Sequence, residues 1–100
     1  VLFVNKSLFI TFEGGEGSGK TTQINFLSQY LKLKSFKVLI TREPGGSNGA
    51  ESIRKLLVTG TPNRWDVETE ALLMYAARRD NFIRLIKPSL NDGKTVISDR

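Results

Sequence analysis

Hydrophobic positions along the chain change period several times. Leu8-Phe9-Ile10-Thr11-Phe12 is a β-branched and aromatic run bounded by Ser7 and by glycines, and it predicts a strand buried on both faces. Between Thr21 and Leu33 the apolar residues fall at Ile24, Leu27 and Leu31, the stripe of an amphipathic helix. Lys37-Val38-Leu39-Ile40-Thr41 predicts a second buried strand, stopped by Pro44 and the Gly45-Gly46 pair. Ala50, Ile53 and Leu57 share one face of a shorter helix. Thr59 to Asp66 holds Gly60 and Pro62 and reads as a loop, with Trp65 covering a core edge. Val67 to Ile86 is the longest helical pattern, carrying Val67, Ala71, Leu72, Tyr75, Phe82 and Ile86, and Pro88 is expected to kink or end it. Asn91-Asp92-Gly93 predicts a turn and Thr95 to Ser98 a third strand, followed by Asp99 and Arg100.

The order strand, helix, strand, helices, strand predicts an α/β fold with a parallel sheet and right-handed crossovers. One hundred residues form one domain at most. Three strands are few for such a sheet, so the chain reads as stopping in mid-fold. It opens on Val1 rather than Met, and its true start is expected upstream.

Gly14-Gly15-Glu16-Gly17-Ser18-Gly19-Lys20-Thr21 fits G-x-x-x-x-G-K-[ST], followed by Thr22. The glycines let the backbone curl so that N–H groups face phosphate oxygens, and the next helix adds its positive end. Lys20 can reach the outer phosphates of ATP, and the Thr21 hydroxyl can ligate the Mg2+ that bridges them. The strand before and helix after are the context that the motif requires. A dinucleotide-binding fingerprint is the weaker rival, because Gly-Lys-Thr suits terminal phosphates.

Composition narrows the chemistry. The chain has no cysteine and no histidine, which excludes disulfides, zinc sites on those ligands and histidine bases. Absent cysteine fits a reducing compartment, here taken as cytoplasmic. No apolar run reaches membrane-spanning length, so no membrane partner is expected. The net charge of +5 suits either a soluble surface or an anionic partner. Basic and aromatic residues are not interleaved, so a nucleotide is favoured over nucleic acid.

A phosphate loop establishes a triphosphate, not a reaction. Asp99 ends a strand and can meet Thr21 around one Mg2+, since ligands bind at the carboxyl edge of parallel strands. Arg42 and Glu43 end another strand on that same edge. Arg78, four residues beyond Met74 on one helix face, is a candidate clamp for an acceptor phosphate, as is Arg54.

With these residues in view, the chain resembles the bacterial thymidylate kinases. The likeness runs from about Leu8 to Arg100 and rests on Phe12 to Thr22, Thr41-Arg42-Glu43-Pro44-Gly45-Gly46, Glu70 to Arg78, and Ser98-Asp99-Arg100. It implies the first part of one nucleoside monophosphate kinase domain, a P-loop three-layer sandwich. The later strands and a mobile lid with its catalytic arginine would lie beyond residue 100. It implies that Gly14 to Thr22 hold ATP and that Glu16 meets the dTMP sugar. Pro44 would pack near thymine, and Arg54, Arg78 and Arg100 would line the dTMP pocket. Lys20, Asp99 and Arg100 would carry catalysis, Asp99 organising Mg2+ and water, and the protein would be a homodimer. Met74 stands where the family usually has a stacking phenylalanine, Asn81 where histidine is common, and Gly17 where other members carry an arginine.

Three readings follow: phosphoryl transfer from ATP to dTMP, nucleotide binding without turnover, and a nucleic-acid-stimulated ATPase. A regulatory GTPase is disfavoured, because no Asn-Lys-x-Asp segment is present.

Overall fold

In a computed structural model, residues 7–15 and 17–100 are described. Strands β1 (Phe9–Phe12), β2 (Val38–Arg42) and β3 (Thr95–Asp99) form one parallel sheet in the order β1-β3-β2. The last strand in sequence therefore occupies the middle. Val96, Ile97 and Ser98 are almost wholly enclosed, while Phe9 is 41% and Ile40 45% exposed. The expectations that β1 is buried on both faces and that β2 is a second buried strand are thus corrected: among the described residues both are edge strands. An apolar run in a parallel sheet has the same composition at an edge as in the centre.

Helix α1 (Lys20–Leu33) lies on one face of the sheet. Ile24 and Leu31 bury against Ile97, with Phe12, Leu27 and Val38 around them, so the predicted stripe is the one that packs. Burying an Ile or Leu of this kind stabilises by about 1.5–3 kcal/mol. Side chains alternate along a strand, so Val96 faces the opposite layer, where the end of the long helix lies.

That long helix starts at Asp66, whose side chain caps it by accepting from the Thr69 N–H at 2.9 Å. It runs as α3 (Val67–Asn81), then a π-turn over Phe82–Ile86, then α4 (Lys87–Asn91). Pro88 therefore does not end it. The proline sits in the first turn of α4, and the Lys87 N–H reaches back to Phe82 O across the π-turn. The register is interrupted just before Pro88 would need an N–H. The residues of α3 that bury are Ala77 and Asn81. Helix α2 (Asn48–Val58) packs along α3, and Ala50 is fully enclosed. Its N-cap is Ser47, whose Oγ accepts from Ala50 N–H at 3.3 Å and donates to Asp80 Oδ2 at 2.6 Å.

Candidate functional site

Sheet register assembles the site. Phe12, Asp99 and Arg42 lie side by side at the carboxyl ends of the three strands. The next residue of each strand, Glu13, Arg100 and Glu43, must then emerge on one rim. Backbone bonds continue the ladder there: Arg100 N–H donates to Phe12 O at 2.9 Å, and Glu43 N–H to Asp99 O at 2.8 Å.

The phosphate loop opens on this rim. Gly17 (φ 78°) and Gly19 (φ 81°) hold left-handed backbone, which glycine adopts without a Cβ penalty. Glu16 lies outside the described residues. Lys20, at the start of α1, is 18% exposed in its side chain, and its Nζ donates to Gly14 O at 2.9 Å and Arg100 O at 2.6 Å. The same ammonium pairs with Asp99 Oδ1 at 2.6 Å. Gripping a phosphate would make Lys20 exchange at least one of these partners.

A cleft of about 490 Å³ runs over the loop. Gly15 and Gly17 to Thr22 line its donor side, and Arg42, Glu43, Arg54, Asp99 and Arg100 face them. Thr21 and Asp99 offer hard oxygen donors to one space. They fit Mg2+, which takes few protein ligands and completes its shell with phosphate and water. Among the described residues there is no cluster of three or more His, Cys, Asp or Glu side chains to cage a metal without such help.

A neighbouring hollow of about 300 Å³ is lined by Phe9, Tyr75, Phe82, Ile86, Arg78 and Arg79, with Glu43 and Arg100 where it joins the first. Glu43 links the arginines. Its Oε2 accepts from Arg100 Nε at 2.6 Å and its Oε1 pairs with Arg78 Nε at 3.3 Å. Arg100 NH1 also donates to Glu13 Oε1 at 3.1 Å, and the two carboxylates hold its guanidinium above arginine's ordinary value.

Of the other expected residues, Arg54 lines the first cleft and donates through NH1 to Pro44 O at 2.8 Å. Met74 is 37% exposed and lies among the lining residues of neither cleft, where Tyr75 and Phe82 stand instead. The sequence places Glu43 on this edge without assigning it a role. The signal for one was its position directly after a strand, matching Arg100 in register.

The loop between β2 and α2 is held by a second carboxylate. Glu51 takes Arg42 NH2 at 2.5 Å, Arg42 Nε at 3.2 Å and the Gly46 N–H at 2.7 Å. The Arg42 bonds first, then the Gly46 N–H, bring its carboxyl from 4.5 down to about 2. A lowered pKa means a stabilising contribution fully present above pH 4.5 and lost as pH falls towards 2. Glu51→Gln is therefore expected to lower the melting temperature of the full-length protein at pH 7 and to converge with wild type near pH 2. Melting curves across that range check this; a constant difference at all pH values would contradict it.

Comparison with known proteins accords with this arrangement. The thymidylate kinase family profile matches residues 12–100. A thymidylate kinase of Caulobacter vibrioides is 56% identical over 97 residues, covering 97% of this chain and 47% of its own length. That of Ruegeria pomeroyi is 55% identical over 93 residues, covering 93% and 44%. The crystal structure of thymidylate kinase from Ehrlichia chaffeensis matches with a TM-score of 0.82 at 47% identity, over 94% of this chain and 54% of that one. The chain spans about half the length of these relatives. A P-loop α/β fold, a donor loop facing arginines on one rim, and this agreement in sequence and structure make the chain a member of the thymidylate kinase family.

Proposed function

We propose that the protein transfers the γ-phosphoryl group of ATP to dTMP, giving dTDP. One observation carries the reading: Lys20 and the arginines stand on the same rim, with Lys20 Nζ 2.6 Å from Arg100 O and Arg100 joined to Arg78 through Glu43. The main-chain amides of the loop, Lys20 and Thr21 hold the ATP phosphates. Thr21 and Asp99 hold Mg2+, which when bound neutralises charge on the donor. Arg54, Arg78 and Arg100 hold the dTMP phosphate, and the aromatic hollow beside Arg78 takes the base. The acceptor oxygen is already anionic, so positioning and charge neutralisation supply the catalysis rather than a strong base.

The reading includes a cytoplasmic location, where both substrates occur. Among the described residues no helix is long and apolar enough to cross a membrane. It also includes a homodimer, supported by Val67, Leu72 and Tyr75 standing 85%, 69% and 65% exposed along α3. A monomeric mass in solution would count against that interface.

The test is an assay of the full-length protein with MgATP and each nucleoside monophosphate, resolving products by chromatography. Formation of dTDP is expected. Phosphorylation of another monophosphate with dTMP untouched would overturn the substrate. For these 100 residues taken alone, the share of the relatives that they span favours binding of ATP or dTMP without turnover. Detectable binding with no dTDP is the corresponding result.

A further inference from the structure

We propose that Glu43 is the positioning residue for the acceptor arginines, one nearly enclosed carboxylate setting both guanidinium groups towards the dTMP phosphate. The inference rests on the assignment of Arg78 and Arg100 to the acceptor. The Glu43 side chain is 6% exposed, against 46% for Arg78, 32% for Arg100 and 69% for Glu13. A carboxylate this enclosed persists only when its charge is met, and each of its oxygens meets one arginine. Both contacts are made through Nε, at 3.3 Å and 2.6 Å. An anchor at Nε fixes the plane of a guanidinium; it leaves the terminal nitrogens of Arg78 for a forked bond to phosphate, and those of Arg100 once NH1 exchanges Glu13 for the phosphate.

The anchor is itself rigid. Glu43 N–H is bonded to Asp99 O at 2.8 Å, and Asp99 directly precedes Arg100. Glu43 and Arg100 are therefore held to neighbouring strands one residue past aligned positions, and Arg78 is brought in from α3. Glu43 also screens two cations that would otherwise repel each other at close range.

Its negative charge has an opposing effect on a phosphate nearby. With Glu13 also paired to Arg100, two arginines meet two carboxylates, so removing the Glu43 charge changes the cluster by a single unit, whereas a displacement of about 1 Å in a clamp can lower rate about 100-fold. Positioning therefore outweighs charge, and Glu43→Gln is expected to weaken the acceptor site rather than strengthen it.

The experiment uses the full-length protein with Glu43→Gln and Glu43→Asp, measuring kcat, KM for dTMP and for ATP, and binding of dTMP and thymidine. Thymidine lacks the phosphate, so a positioning role separates the two ligands. Glu43→Gln should raise the KM for dTMP by roughly tenfold while leaving the KM for ATP and thymidine binding within about twofold. Equal weakening of dTMP and thymidine would show a merely structural role and overturn the inference, as would an unchanged or lowered KM for dTMP. Should Glu43→Gln fail to fold, Glu43→Asp keeps the charge and shortens the reach. The same selective loss is expected of it, and a non-selective one overturns the proposal. Wild-type protein that forms no dTDP overturns the acceptor assignment and this inference together. An active wild type with an unaltered Glu43→Gln overturns the inference alone.

Discussion

Replacing Lys20 by methionine is expected to lower the kcat/KM of the full-length protein about a thousandfold, at the upper end of the loss from deleting one preorganised donor. Methionine keeps most of the aliphatic stem and removes only the ammonium. The loop glycines and the start of α1 do not depend on that charge, so the fold should persist. In the proposed transfer, charge would build on the donor's outer phosphates as the transferred group leaves, and Lys20 is the one cationic side chain that the phosphate loop supplies. With no base needed on the acceptor, little else can compensate. Steady-state kinetics at saturating ATP check the size of the loss. A variant within tenfold of wild type would remove Lys20 from the catalytic role.

The same variant has a smaller structural effect. Gly14 O, Arg100 O and Asp99 Oδ1 each lose a partner within 3 Å. All lie on an open rim where water can replace it, so a shift of only a few degrees in melting temperature is expected. This separation of activity from stability is what distinguishes a donor contact from a brace between β1 and β3.

The phosphate loop was legible because its chemistry is local: eight consecutive residues, a strand before and a helix after. The rim was legible only as an edge, with Glu43 and Asp99 at strand ends; which side chains pair there was not. Glu13, Glu43 and Arg100 are far apart in sequence and meet only because β3 lies between β1 and β2 in a fixed register. No periodicity in the chain states that order. The same order leaves β1 and β2 at the edges, with Phe9 and Ile40 part-exposed. Met74 followed from the family's pattern, whereas the hollow beside Arg78 is lined by Tyr75 and Phe82. Asn81 was noted for departing from that pattern, and the structure shows what it does. It lies four residues after Ala77 on the buried face of α3, and that spacing was the available signal.

Asn81 leads to the second large effect. Its Oδ1 accepts from Ser47 N–H at 3.1 Å and its Nδ2 donates to Thr41 Oγ1 at 3.2 Å, wholly out of solvent. One side chain thus joins α3 to β2 and to the loop carrying Glu43. Gly46 sits against it with φ 101°, and a Cβ there would collide with Asn81 Oδ1 and Thr41 Oγ1. Gly46→Ala must therefore adopt left-handed backbone, which costs roughly 1–2 kcal/mol. It must also displace two buried polar groups, adding about 1–3 kcal/mol for each bond left unmade. A destabilisation of at least about 3 kcal/mol follows, enough to lower the melting temperature of a protein the length of the relatives by roughly 10 °C. Neither neighbour can withdraw cheaply, since Asn81 is enclosed and Thr41 belongs to a strand. Because Glu43 precedes this loop, acceptor binding should weaken with stability, whereas Lys20→Met spares the fold. A Gly46→Ala protein melting within 2 °C of wild type, by calorimetry, would mean that the loop relaxes without Asn81 and that the packing described here does not hold it.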